Sequence, residues 1–245
     1  PDGSSWTVTK SKFSFAHNLL IGRNLNKIVL QGVNALSLEV DGNVTIEKNL
    51  SGSSALTLPH VTGATTLDGH DAFYSDEETK GFRLGKGNLG GFSGGQGPGK
   101  GYSLGESGAG GISGGGGSHG GEGGPGASGP AGQNYGQANL DILLGGSGGG
   151  LGNLGEAAAG GGALEIVSSG VVTIDEDVRI SMNGGTIFVN PTSGANFSGG
   201  SGSGGALRIV ANDIINHGVL EVKGGDASGA DNREAGTRFL SNSGG

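Results

Sequence analysis

Short runs in which apolar and polar residues alternate recur through the first third of the chain: Trp6-Thr7-Val8-Thr9, Lys27-Ile28-Val29-Leu30, Leu36-Ser37-Leu38-Glu39-Val40 and Asn43-Val44-Thr45-Ile46-Glu47. A period of two sends successive side chains to opposite faces, and the β-branched content suits a pleated surface, so these runs predict strands. Gly32, Asp41-Gly42 and Ser51-Gly52 separate them at intervals of about ten residues. No stretch between them carries the three-to-four-residue apolar stripe of a helix. The last third reads the same way, through Ala163-Leu164-Glu165-Ile166-Val167, Val171-Val172-Thr173-Ile174, Val178-Arg179-Ile180, Thr186-Ile187-Phe188-Val189, Leu207-Arg208-Ile209-Val210 and Val219-Leu220-Glu221-Val222.

The two arms repeat each other. Gly162-Ala163-Leu164-Glu165-Ile166-Val167 matches Gly205-Ala206-Leu207-Arg208-Ile209-Val210 at an offset of 43. An offset of 128, close to three times 43, pairs Ala35, Leu36, Gly42, Val44, Thr45 and Ile46 with Ala163, Leu164, Gly170, Val172, Thr173 and Ile174. Repetition at a fixed period of tens of residues is the mark of stacked architectures. Strand, tight turn, strand, tight turn is what one coil of a parallel β-helix needs. The expected fold is therefore all-β, with parallel β-helix (solenoid) arms; a β-sandwich or irregular barrel is the competing reading.

Between the arms the composition changes. Of 59 glycines, 35 lie from Gly85 to Gly162. The chain thus divides into an N-terminal β arm, 1–84, a glycine-rich insertion, 85–162, and a C-terminal β-solenoid arm, 163–245, one architecture interrupted. Only ten residues of the insertion are Leu, Ile, Val or Phe. A side-chain core could not offset a backbone ordering cost of roughly 1–2 kcal/mol per residue. Glycine opens another route: extended three-residue-per-turn segments of the polyproline II type, close enough for N–H and C=O groups to bond between neighbours. A flexible linker is the alternative, but Tyr135 and the cluster Leu140, Ile142, Leu143 and Leu144 have no place in one. Collagen is excluded because no strict Gly-X-Y register is kept.

Charge and residue usage narrow the function classes. Fourteen basic and 22 acidic residues give a net charge of −8, the wrong sign for tracking phosphates, so no nucleic-acid partner is expected. With no cysteine there is neither a disulfide framework nor a thiolate metal site, which is compatible with export. Apolar runs such as Leu19-Leu20-Ile21 fall far short of the roughly 20 residues of a membrane-spanning helix, so no membrane span is expected. Lacking an initiator Met, the sequence reads as a piece processed or excised from a longer precursor.

The succession Gly97-Pro98-Gly99, Gly114 to Gly121, Tyr135-Gly136, Leu144 to Gly150, Gly160 to Val167, Gly170 to Ile174 and Asn183-Gly184-Gly185 resembles the glycine-rich β-helical repeat regions of secreted and cell-surface structural or adhesin-like proteins. The resemblance covers about residues 85 to 226. It implies an extracellular or cell-surface location and a structural or adhesive role, often as one module of a very large polypeptide.

Motifs for chemistry are present by letter but lack their context. Gly94-Gly95-Gln96-Gly97-Pro98-Gly99-Lys100 spells a phosphate-binding loop up to its last position, where Gly101 replaces the Ser or Thr that holds Mg²⁺. Gly91 to Gly95, Gly116 to Gly120 and Gly145 to Gly149 spell nucleophile elbows around Ser93, Ser118 and Ser147, without a strand-to-helix turn. Asp68, Asp71, Asp76, Glu77 and Glu78 crowd around Gly69 and His70, and hard cations take several oxygens from one loop. A Ca²⁺ site is one reading of that cluster; a solvated charged loop is the other. Asp175-Glu176-Asp177 reads as a solvent-facing corner. His17, His60, His70, His119 and His217 share no metal-ligand spacing, and each reads as a surface or turn residue. No cofactor is expected apart from that Ca²⁺.

Polysaccharide lyases and hydrolases use β-helices too, but fold alone does not license their activity. Basic residues are scattered, and one Trp and three Tyr make few sugar platforms. The expected function is a non-enzymatic structural or adhesive protein that assembles through its ends into a filament or surface layer. Trp6, Val8, Phe13 and Phe15 are the candidate contact, because apolar side chains near a terminus invite burial by strand addition. Its partners would be copies of itself; a non-catalytic glycan-binding module or a polysaccharide-processing β-helix is the alternative, with glycans as ligands.

Overall fold

The computed structural model describes residues 9–24, 28, 30–53, 85–102, 114–126, 129–152, 157–186 and 199–226. Among them lie eleven strands and no helix: β1 (Lys10–Phe15), β2 (Leu19–Ile21), β3 (Ala35–Val40), β4 (Val44–Ile46), β5 (Leu50–Ser51), β6 (Ala163–Ser168), β7 (Val171–Ile174), β8 (Arg179–Ser181), β9 (Ala206–Val210), β10 (Asp213–Asn216) and β11 (Val219–Glu221). They form three sheets in the orders β1-β3-β6-β9, β10-β7-β4-β2 and β11-β8-β5. Every pairing is parallel. Consecutive strands therefore never pair. The runs β3–β5, β6–β8 and β9–β11 each pass through the three sheets in turn, while β1 and β2 enter only the first two. The fold is all-β with parallel sheets.

The sequence offsets are the pairing registers. Leu36 lies opposite Leu164 and Val44 opposite Val172, at the offset of 128. Leu164 lies opposite Leu207 at 43, while β7 and β10 pair at 42 and β8 and β11 at 40 as the corners shorten. The Lys10–Phe15 lead-in joins the same scheme at an offset of 25, Lys10 opposite Ala35 and Leu19 opposite Val44. β1 begins at Lys10; of the strand expected at Trp6–Thr9, residues 6–8 lie outside the described residues.

Period-two alternation then builds the interior. Leu36, Leu38, Val44, Ile46, Leu50, Leu164, Ile166, Val172, Ile174, Ile180 and Met182 form one apolar cluster, stacked in columns from strand to strand. Full burial of such side chains is worth about 1.5–3 kcal/mol each. Corners are fastened by asparagine side chains acting between neighbouring turns of the chain. Asn18 Oδ1 accepts the N–H of Asn43 at 2.8 Å, and Asn43 Oδ1 accepts that of Val171 at 2.9 Å. Asn49 Oδ1 accepts Arg179 N–H at 2.7 Å, and Asn183 Oδ1 that of Lys223 at 2.8 Å. Asp175-Glu176-Asp177 is a corner, with Glu176 and Asp177 exposed and Asp177 in the left-handed region at φ 68°.

The described glycine-rich segments hold together by backbone hydrogen bonds instead of a side-chain core. Gly145–Gly150 is buried and bonded on several sides. Gly146 and Gly149 donate to Gly161 and Ala158, and accept from Phe92 and Gly95. Ser147 and Gly150 accept from Ser203 and Gly200; Ser203 and Gly200 in turn accept from Gly161 and Ala158. Each of these pairs steps by three residues along both partners. This bonded body packs on the strand assembly where Leu143 and Leu140 meet the small column Ala35, Ala163 and Ala206 on the outer face of the first sheet.

Candidate functional site

Both ends of the strand stack break the pattern of burial that the middle obeys. In the column Leu38–Ile166, two buried side chains continue at one end to Phe13, which is 56% exposed. Val44 and Val172 are fully buried, but the next residue in their column, Ile214, is 43% exposed. Leu50 and Ile180 continue in the same way to the exposed Leu220. Phe15 and Leu20 stand beside Phe13 on one end; Val210, Ile215 and Val219 widen the other. Among the described residues, each end also presents strands with a single partner: β1, β2 and β5 at one, β9, β10 and β11 at the other. An apolar surface joined to unpaired N–H and C=O groups is a template for another chain.

Of the predicted contact residues, Phe13 and Phe15 therefore lie on a described end strand, while Trp6 and Val8 lie outside the described residues. Asp68, Asp71, Asp76, Glu77 and Glu78 also lie outside them, so the Ca²⁺ reading has no geometry to meet. Among the described residues, no group of three or more His, Asp or Glu side chains is placed to hold a metal. No helix among them is long and apolar enough to cross a membrane.

The first sheet is clamped by a group that the sequence did not single out. Glu165, on β6, is almost fully buried. Its Oε2 accepts from Lys10 Nζ on β1 at 2.7 Å and Ser37 Oγ on β3 at 2.6 Å, and its Oε1 accepts from Arg208 Nη1 on β9 at 2.8 Å. One carboxylate thus touches all three other strands of its sheet. Burial pushes the carboxyl up, but the hydrogen bonds from Lys10, Ser37 and Arg208 outweigh it and hold it below its ordinary range. At the far end, hydrogen bonds from Lys223, Arg179 and Asn183 bring Glu221 down to about 2.

The lettered motifs turn out to be building material. Amides of the Gly94–Gly101 segment that a phosphate would need are consumed internally, Gly95 by Gly149 O, Gly101 by Gly148 O and Gly99 by Ser147 Oγ. Ser118 and Ser147 are fully buried, and Ser118 Oγ donates to Gly132 O while accepting from Gly123 N–H. His119, expected at the surface or in a turn, lies at a bend but is buried. It is 4% exposed, with Nδ1 2.9 Å from Gly205 O and its ring 4.7 Å from that of Tyr135. Tyr135 donates its hydroxyl to Gly145 O at 2.6 Å. His17 and His217 are exposed as expected, and His60 and His70 lie outside the described residues.

Burial pushes the His119 pKa below its ordinary 6.5, with the Gly205 and Gly204 carbonyls only partly opposing it. The unfolded chain then binds the proton more readily than the folded one. Stability is whole above 6.5 and falls as the pH drops through that value. Urea midpoints measured between pH 7.5 and 5 should decline for the parent chain and decline less for His119→Asn, whose amide can still donate to Gly205 O. Equal declines would remove His119 as the source.

Comparison of the chain with protein-family models, curated proteins and solved structures yields no match.

Proposed function

We propose that the chain is a non-enzymatic structural module that joins copies of itself end to end, outside the cell or on its surface. The observation that carries this reading is the continuation of buried columns into half-exposed end residues, Phe13 on one face and Ile214 and Leu220 on the other. The strand arrangement is read as a short parallel β-helix, on the strength of the cyclic return to three parallel sheets and the offsets of 25, 128 and 43. The glycine-rich body is read as a bundle of polyproline-II-like segments, which the three-residue step of its hydrogen bonds favours. The location rests on the resemblance of its glycine-rich succession to secreted repeat regions and on the lack of cysteine.

Because the two faces differ, the contact is heterologous, and heterologous contacts that do not close propagate into filaments. Sedimentation of the parent chain should show mass rising with concentration. Phe13→Lys blocks one face and Ile214→Lys the other, so each variant alone should remain monomeric. Mixed together they should form a capped dimer, because each retains the face the other lacks. A parent chain that stays monomeric at every concentration, or variants that dimerise with themselves, would reject end-to-end joining.

A further inference from the structure

Where the glycine-rich body meets the last strands, a cleft of about 460 Å³ opens to solvent. That is within the usual range for a small-molecule site, about 300–1,000 Å³. Leu140, Leu207 and Val222 supply apolar wall, Gln137 an amide, and Gly120, Gly121, Gly136 and Gly204 bare backbone. The buried ring of His119 also lines it. No Asp, Glu, Lys or Arg is among these lining residues.

His119 is set to act as an acceptor here. Gly205 O can only accept, so the hydrogen between it and Nδ1 belongs to the ring, and a neutral ring then keeps its lone pair on Nε2. Burial keeps the ring neutral, as its lowered pKa indicates. The Nε2 edge faces the wall at Gly136, where a Cβ would stand 3.3 Å from Nε2. Glycine at 136 places no side chain over that edge. Gly120, at the mouth, is open: a Cβ there would meet nothing within 4 Å.

We infer that this cleft is a binding site for a neutral, hydroxyl-bearing ligand with one apolar face, the chemistry of a sugar ring, whose hydroxyl donates to His119 Nε2 while its C–H face lies on Leu207 and Val222. The absence of charged lining side chains selects against anionic and cationic ligands, whose desolvation nothing in the cleft would offset. Gln137 and the glycine amides and carbonyls provide both donors and acceptors for further hydroxyls. The inference is independent of end-to-end joining, since binding would be read on a monomeric chain.

The test titrates the full chain carrying Phe13→Lys, to keep it monomeric, with methyl glucoside, methyl galactoside, N-acetylglucosamine and glucuronate, following backbone amide resonances. At least one neutral sugar should give saturable shifts at Gly120, Gly136 and Gly205, with a dissociation constant on the order of 1 mM, and glucuronate should give none. Gly120→Val, whose Cβ meets nothing within 4 Å and which adds bulk beside the cleft, should abolish the shifts while leaving the thermal midpoint unchanged. Gly136→Ala, which covers the Nε2 edge, should weaken them. Absence of saturable shifts with every neutral sugar, binding indifferent to both variants, or preference for glucuronate would each overturn the assignment.

Discussion

Replacing Gly160 by alanine is expected to destabilise the glycine-rich body by on the order of 3 kcal/mol, while the same change at Gly120 has almost no effect. The chemistry of the two substitutions is identical; only the space differs. A Cβ on Gly160 would overlap the carbonyl of Gly146 and crowd Ser147 N, both backbone atoms that no rotamer change can move aside. Those atoms are also bonded: Gly146 accepts from Phe92, donates to Gly161, and sits beside Ser147, which accepts from Ser203. Relief of the overlap must therefore lengthen hydrogen bonds to three neighbouring segments at once. In a domain with a total stability of about 5–15 kcal/mol, that loss is large. Amide exchange should localise it, with protection at Gly146, Gly149 and Gly161 falling well before that at Ile166 or Ile180. Gly160→Ala and Gly120→Ala of equal stability would show that the inter-segment bonds do not hold this body together.

The second large effect is expected at Glu165. Removing one member of a buried, hydrogen-bonded ionic group costs about 3–5 kcal/mol, and Glu165→Ala should lie near the lower figure, because Lys10 and Arg208 are partly exposed and can regain water. Ser37 cannot; its hydroxyl is fully buried and would lose its acceptor. Glu165→Gln, which keeps an acceptor but no charge, should fall between the two. The sign with pH follows from the lowered carboxyl. Its contribution is complete above the ordinary value of 4.5 and is lost as the pH falls below it. Urea midpoints of the parent and of Glu165→Ala should therefore converge toward acid. Curves that stay parallel from pH 7 to 3 would show that the ionised carboxylate does not stabilise the sheet.

What was legible in the sequence was whatever the columns repeat. Leu36 and Leu164, or Val44 and Val172, occupy the same inward position, so similar residues recur at the pairing offset. The first strand escaped that logic, since Ser11 stands where its neighbours place Leu36 and Leu164, and the offset of 25 brings few identities into line. Glu165 was hidden for a different reason. Alternation places it outward, where a carboxylate ordinarily meets water, and its burial depends on Lys10 and Arg208, 155 and 43 residues away. His119 is embedded in glycine, which has no side chains to announce a pocket. Its surroundings come from Tyr135 and Gly205, brought close only by the bundled segments.

The pairing of β3 with β6 joins strands separated by the 122 residues between Val40 and Ala163. Loop closure penalises such a span only logarithmically, so the native state tolerates it well. Synthesis does not. The sheet edge of β3, β4 and β5 leaves the ribosome long before the strands that cover it. At 5–20 residues per second the wait is roughly 5–20 s. For that interval the growing chain carries a row of unpaired backbone groups flanked by Leu36, Leu38 and Val44, ready to pair with the same edge on a neighbouring nascent chain. Dense polysomes would thus favour mispairing, more so the closer the ribosomes are spaced, and slow codons placed within the glycine run would worsen it.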